Sequence, residues 1–173
     1  MGPFLGKRAI VLVLLLIATS PVSSIQIQVT GGGSGWVSSV PPANLPSGAG
    51  RDLTVTTYSS SASQTVLRIR ENPGGWMWRG RGWVVTVSKV STGWYPGLHL
   101  FIQRTSHGWP EDRLTGPYFA YIEVPEKPAT VEFFRCPSQT EISAINCQLQ
   151  IRGVSVAAGK TNQTTVFYTV TEF

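Results

Sequence analysis

The stretch Gly82-Trp-Val-Val-Thr-Val-Ser-Lys-Val90 constrains the fold more than any other part of the chain. Trp83, Val85 and Val87 recur at every second position, with Val84, Thr86 and Ser88 between them. A pleated strand sends alternate side chains to opposite faces, so this is the pattern of a strand with one apolar side. Trp83 is the bulkiest member of the row and is expected at the centre of a core between two sheets.

The same alternation recurs along the chain. Ile25, Ile27 and Val29 alternate with Gln26, Gln28 and Thr30. Leu53, Val55 and Thr57 alternate with Thr54, Thr56 and Tyr58, and Thr65, Leu67 and Ile69 with Val66, Arg68 and Arg70. Further on, Leu98, Leu100 and Ile102, then Phe119 and Tyr121 within residues 118–124, then Val131 and Phe133, follow the same rule. So do Cys147, Leu149 and Ile151, and Val166, Tyr168 and Val170. Gly153 is expected to form a bulge, after which Val154 and Val156 turn inward again. Pro41, Pro42 and Pro46 cannot donate ladder bonds, so residues 36–46 read as edge or loop. No helical period appears past residue 24. About nine or ten short strands separated by Gly, Pro and Ser turns predict an all-β domain, an immunoglobulin-like antiparallel β-sandwich.

The start of the chain reads differently. Lys7 and Arg8 precede an unbroken apolar run from Ala9 to Ala18, with small residues after it. This is the layout of a secretory signal peptide, and the run is too short to span a bilayer as a mature helix. Cleavage after Ser20 would leave Pro21 at the new terminus; cleavage after Ser24 leaves Ile25 and is preferred. A retained pilin-like helix or uncleaved anchor is the rival, weakened by the early end of the run and by Pro21. The expected organisation is therefore 1–24 signal peptide, 25–35 N-terminal strand and Gly-rich hinge, and 36–173 β-sandwich domain. Loss of Lys7 and Arg8 leaves 14 bases less two against 9 acids, a net +3. So small an excess, on an exported chain, argues against a nucleic-acid partner. No later segment has the length and apolarity of a membrane span.

Two cysteines remain, Cys136 and Cys147. In an oxidising compartment they are expected to form a disulfide, worth roughly 3 kcal/mol in the chain-entropy model. Two free buried thiols are the alternative. They lie too close in sequence for the inter-sheet bridge of an antibody domain. No further Cys or nearby His completes a metal-ligand set, and no cofactor motif is present.

Four features are candidate sites. Ile25, Ile27 and Val29 sit on a terminal strand followed by Gly31-Gly-Gly-Ser-Gly35, a run with high backbone freedom. Such a ribbon can close its own sheet, or serve as a donor strand that fills a groove in a second subunit, alternate side chains entering pockets. Trp76, Trp78, Arg79 and Arg81 could form a platform for a glycan, through ring stacking and cation–π contact, or meet a neighbouring subunit. Arg-Gly-Arg beside tryptophans also suits single-stranded nucleic acid, which export disfavours. The ordinary reading is a hairpin folded over the edge of the core; Trp94, Tyr95 and Trp109 raise the same question. Ser106, His107, Glu111 and Asp112 are neighbours in sequence, but adjacency does not make a triad, and the ligand ladder of a calcium loop is absent. A polar turn is expected there, and the chain carries no catalytic set. Asn162-Gln-Thr164 fits an N-glycosylation acceptor.

Gly48-Ala-Gly-Arg-Asp-Leu53, Trp83-Val-Val-Thr-Val87, Leu98-His-Leu-Phe-Ile-Gln-Arg-Thr-Ser-His-Gly108 and Thr165-Val-Phe-Tyr-Thr-Val-Thr-Glu172 together resemble secreted prokaryotic β-sandwich surface proteins of poorly known role. The layout of leader, alternating terminal strand, glycine hinge and single sandwich is also similar to filament subunits that polymerise by donor-strand exchange, a pilin-like design. That resemblance implies assembly with further copies of itself; the alternating strand on its glycine hinge and the lack of any catalytic set lead to the expectation of a secreted or cell-surface structural protein, not an enzyme, in an oligomer or filament. A carbohydrate-binding or adhesin-like module built on the Trp/Arg loop is the alternative.

Overall fold

The structure is a computed structural model that describes residues 10–17, 25–31, 35–40, 44, 53–71, 82–138, 141–155 and 161–173. Eleven strands run through these residues: β1 (Ile10–Ile17), β2 (Ile25–Thr30), β3 (Trp36–Ser39), β4 (Thr57–Ser59), β5 (Thr65–Glu71), β6 (Trp83–Thr92), β7 (His99–Arg104), β8 (Ile122–Glu123), β9 (Val131–Cys136), β10 (Ile142–Arg152) and β11 (Asn162–Glu172). They form two sheets. One has the order β3-β1-β11-β6-β9; the other has the order β2-β5-β10-β7-β8, with β4 also pairing β10. Every ladder is antiparallel except β1 with β11, which is parallel. The fold is all-β and sandwich-like, as the period-two pattern predicts.

The alternating residues define the core. Trp83, Val85 and Val87 of β6 are buried, and so are Leu67 and Ile69 of β5, Leu100 and Ile102 of β7, and Leu149 and Ile151 of β10. Trp83 meets Phe134 edge-on, ring centroids 6.1 Å apart at 77°, a favoured aromatic geometry. Two bulges add apolar volume that strict alternation would have turned to solvent. In β9 the register against β6 slips between Val85 and Thr86, so both Phe133 and Phe134 enter the core. In β10 the register against β5 slips between Ile142 and Ile145, both buried, with Ala144 at φ 55° between them.

Several expectations need correcting. The strand expected over residues 118–124 is reduced to Ile122–Glu123. Phe119 takes φ 50° and donates its N–H to Arg104 O, so the chain turns there instead of extending. The strand expected from Leu53 begins at Thr57; Leu53 is buried, but Val55 is exposed and Tyr58 packs toward the core. Gly153 ends β10 and makes no bulge inside it. It takes φ 79°, and a Cβ there would sit 1.9 Å from Gly97 O. Val154 does turn inward; Val156 lies outside the described residues.

The expected Cys136–Cys147 bridge is not formed: both are free, buried thiols. Cys136 ends β9 of the first sheet, in register with Trp83. Cys147 lies in β10 of the second, between Thr65 and Arg104, and its thiol points to Ile145 O at 3.7 Å. They belong to different sheets, and a bridge between sheets needs two positions that face each other across the core, which closeness along the chain does not provide.

Candidate functional site

β11 organises the first sheet. One edge pairs with β6 over its whole length, from Gln163↔Thr92 to Glu172↔Trp83. Its inner face carries Asn162, Thr164, Val166 and Tyr168, all buried, and its outer face the half-buried Gln163, Thr165 and Phe167. Such alternation is what a sheet with one face on a core requires. The other edge of β11 is filled by β1, in parallel, from Val11↔Asn162 to Ile17↔Tyr168. β3 then caps the first half of β1, from Ile10↔Ser39 to Val13↔Trp36, and ends the sheet.

The strand in that seat has the wrong pattern for it. β1 reads Ile-Val-Leu-Val-Leu-Leu-Leu-Ile, with no polar residue at any alternate position. β2, β5, β10 and β11 all alternate. The segment is the apolar run expected from the sequence to be a leader, and its place in the sheet is an addition to what sequence reasoning found. Among the described strands, β3 pairs with β1 alone, and the second edge of β11 has no other occupant.

The strand Ile25–Thr30 pairs at home, with β5, from Ile25↔Glu71 to Thr30↔Val66. Ile25 and Ile27 are buried and Val29 packs on the core. In the single chain the ribbon therefore closes its own sheet, the alternative to donation. It lies at the edge of that sheet, not in the middle. Arg70 of β5 donates from Nε and Nη2 to Gln26 Oε1, at 3.2 and 3.1 Å, across the outer face. Gly31 and Gly35 follow, at φ 89° and 109°; residues 32–34 lie outside the described residues.

Trp76, Trp78, Arg79 and Arg81 lie outside the described residues. Asn162 does not suit a glycan in the folded protein. It is 1% exposed and its Oδ1 accepts from Tyr95 N at 2.8 Å, so a sugar on its Nδ2 would have to displace the sandwich. In the Ser106–Asp112 neighbourhood, Ser106 and His107 make structural contacts. Ser106 Oγ donates to Ala144 O and accepts from Asn146 N, at 2.7 and 2.8 Å, fastening the β10 bulge. His107 stacks on Tyr118, centroids 3.9 Å apart. His99 Nδ1 meets Glu123 Oε1 at 2.6 Å on the surface. No group of three metal-ligating side chains occurs among the described residues, and no described helix is long and apolar enough to cross a membrane.

One polar residue was missed. Arg104 ends β7 and is 1% exposed. The signal was present: Leu98, Leu100 and Ile102 face inward, and Arg104 continues their parity. Its register partner in β10 is Cys147. Burial pulls the Arg104 guanidinium below its ordinary range and holds the Cys147 thiol well above its own. Tyr168, also enclosed, is pushed up for the same reason.

No protein-family model, no curated protein and no solved structure matches the chain.

Proposed function

We propose that the chain is an exported, non-enzymatic structural subunit of the cell surface or of a filament, which joins copies of itself by strand addition. In this reading residues 1–24 are a leader removed on export, and the domain is immunoglobulin-like in outline. The observation that carries it is the seat beside β11. Its occupant is the same segment that reads as a leader. Once residues 1–24 are gone, residues 162–168 of β11 offer a row of main-chain donors and acceptors above a ready-made core face. An unpaired edge of that length is a template for another strand. A strand with an apolar side chain at every second position fits it, and Ile25–Thr30 has that pattern. The glycine-rich run behind it spans up to about 17 Å when extended, enough to carry the ribbon to a neighbour. The commitment of Ser106 and His107 to structural contacts supports the non-enzymatic half of the reading.

Three chains test this: one beginning at Ile25, one lacking residues 25–30 as well, and the full chain with cleavage blocked. Sizing and negative-stain microscopy should give oligomers or filaments from the first and monomers from the other two. A folded monomer from the first chain at high concentration would refute the proposal.

A further inference from the structure

A second feature, unrelated to strand exchange, lies under the segment joining β7 to β8. We propose that Arg104, with the aromatic row His107–Tyr118–Phe119 above it, is a binding site for the carboxylate of an acidic sugar. The guanidinium is shut away from solvent, yet its Nε and Nη1 have no hydrogen-bond partner. Nη2 makes one long bond, to Gly116 O at 3.4 Å. The acidic partners in the ion pairs, Glu123, Glu126, Glu132 and Glu141, are engaged with other bases. Arginine does not shed its proton to escape burial, and an enclosed charge without a counter-ion is costly. The planar donor set of Nε and Nη1 suits a carboxylate.

The surroundings fit the rest of a sugar. The Arg104 guanidinium carbon lies 5.3 Å from the Tyr118 ring and 5.8 Å from the Phe134 ring. Tyr118 continues into His107 at 3.9 Å and Phe119 at 4.4 Å. Phe119 is 62% exposed and takes φ 50°, a strained conformation for a bulky side chain. That strain turns an apolar ring outward instead of into the core. The backbone around it is pinned: Trp109 and Ser143 exchange both main-chain bonds, as do Thr115 and Arg135, and Phe119 N bonds Arg104 O. Rings held on a fixed backbone make a stacking surface without an ordering cost on binding. In the proposed site the half-buried Tyr118, beside the guanidinium, turns aside as the carboxylate binds Nε and Nη1.

The test is thermal unfolding of the full chain in sodium glucuronate, glucose and sodium acetate at matched ionic strength. Glucuronate should raise the Tm by roughly 5–10 °C at a hundredfold excess over its Kd; acetate should raise it less and glucose not at all. Arg104→Gln should abolish both responses while keeping the parent's far-UV circular dichroism spectrum, and Arg104→Met, which leaves no buried amide, should do the same. Tyr118→Leu keeps the guanidinium and should bring the glucuronate response down to that of acetate. No response in the parent chain, or an equal response in Arg104→Gln, overturns the site. An undiminished glucuronate response in Tyr118→Leu overturns the role of the aromatic row.

Discussion

At the scale of single residues, the strongest constraints sit where the backbone is forced close to a neighbour. Gly108 takes φ 75°, and a Cβ there would lie 2.5 Å from Ile142 Cγ2 and 2.9 Å from Ile145 Cγ1. Both isoleucines flank the β10 bulge and are fully buried. Gly108→Ala should therefore cost about 2–4 kcal/mol in urea unfolding, combining left-handed strain with overpacking. Arg104 should behave in the opposite sense. With no ligand bound, Arg104→Met should stabilise the protein by about 1–4 kcal/mol, because it replaces an enclosed, poorly paired charge by a side chain of similar length. Cys147 sets a pH limit. Its folded pKa is raised, so the neutral thiol is the form that folding favours. That contribution is complete below the unfolded thiol value of about 8.5 and declines above it, by about 1.4 kcal/mol per pH unit, until the folded thiol itself ionises. Tyr168 adds a second decline above about 10, for the same reason. Urea titrations at pH 8, 9 and 10 should show the first slope, and Cys147→Val should remove its share. Neither thiol should react with Ellman's reagent until the chain is unfolded.

At the scale of elements, strands with one wet face were legible and the departures from them were not. Ile25–Thr30, Thr65–Glu71, Trp83–Thr92 and Asn162–Glu172 all alternate, and period two is visible without knowing the partner strand. The bulges at Phe133 and near Ala144 break that period, and their cause is the space across the core, which no local pattern carries. Residues 118–124 misled because alternation there met a competing contact, Tyr118 against His107 and Arg104. For the proposed strand exchange, the alternating ribbon Ile25–Thr30 was legible and the seat beside β11 was not. The seat depends on a parallel pairing between residues about 150 positions apart in the chain. If that pairing is what protects the edge, alternate amides over residues 162–168 should exchange quickly in a chain beginning at Ile25. In the full chain the same amides should exchange slowly, while those of β6, covered on both sides in either case, should not change. Equal exchange in the two chains would show that β1 does not occupy the seat in solution.

At the scale of the whole molecule, the two sheets are unequally complete. The sheet of β2, β5, β10, β7 and β8 is built entirely from residues after the expected cleavage point, whereas in the other β3 reaches β11 only through β1, which precedes that point. On the proposed reading, a mature monomer keeps a finished layer and an unfinished one, and its missing strand comes from another chain. Mass action then makes stability depend on concentration: a partner that binds only the folded state adds RT ln(1 + [L]/Kd). The Tm of the chain beginning at Ile25 should climb by roughly 3–5 °C for each tenfold rise in its own concentration above Kd. The full chain, carrying its own occupant, should show a constant Tm over the same range. The interaction would rest on main-chain bonds and apolar pockets between subunits of net charge +3, so added salt should screen a weak mutual repulsion and leave assembly intact or slightly favoured. Differential scanning calorimetry across a hundredfold range of concentration, at low and high sodium chloride, measures both dependences. A concentration-independent Tm for the shorter chain would mean that β11 tolerates its open edge, and assembly through that edge would have no thermodynamic basis.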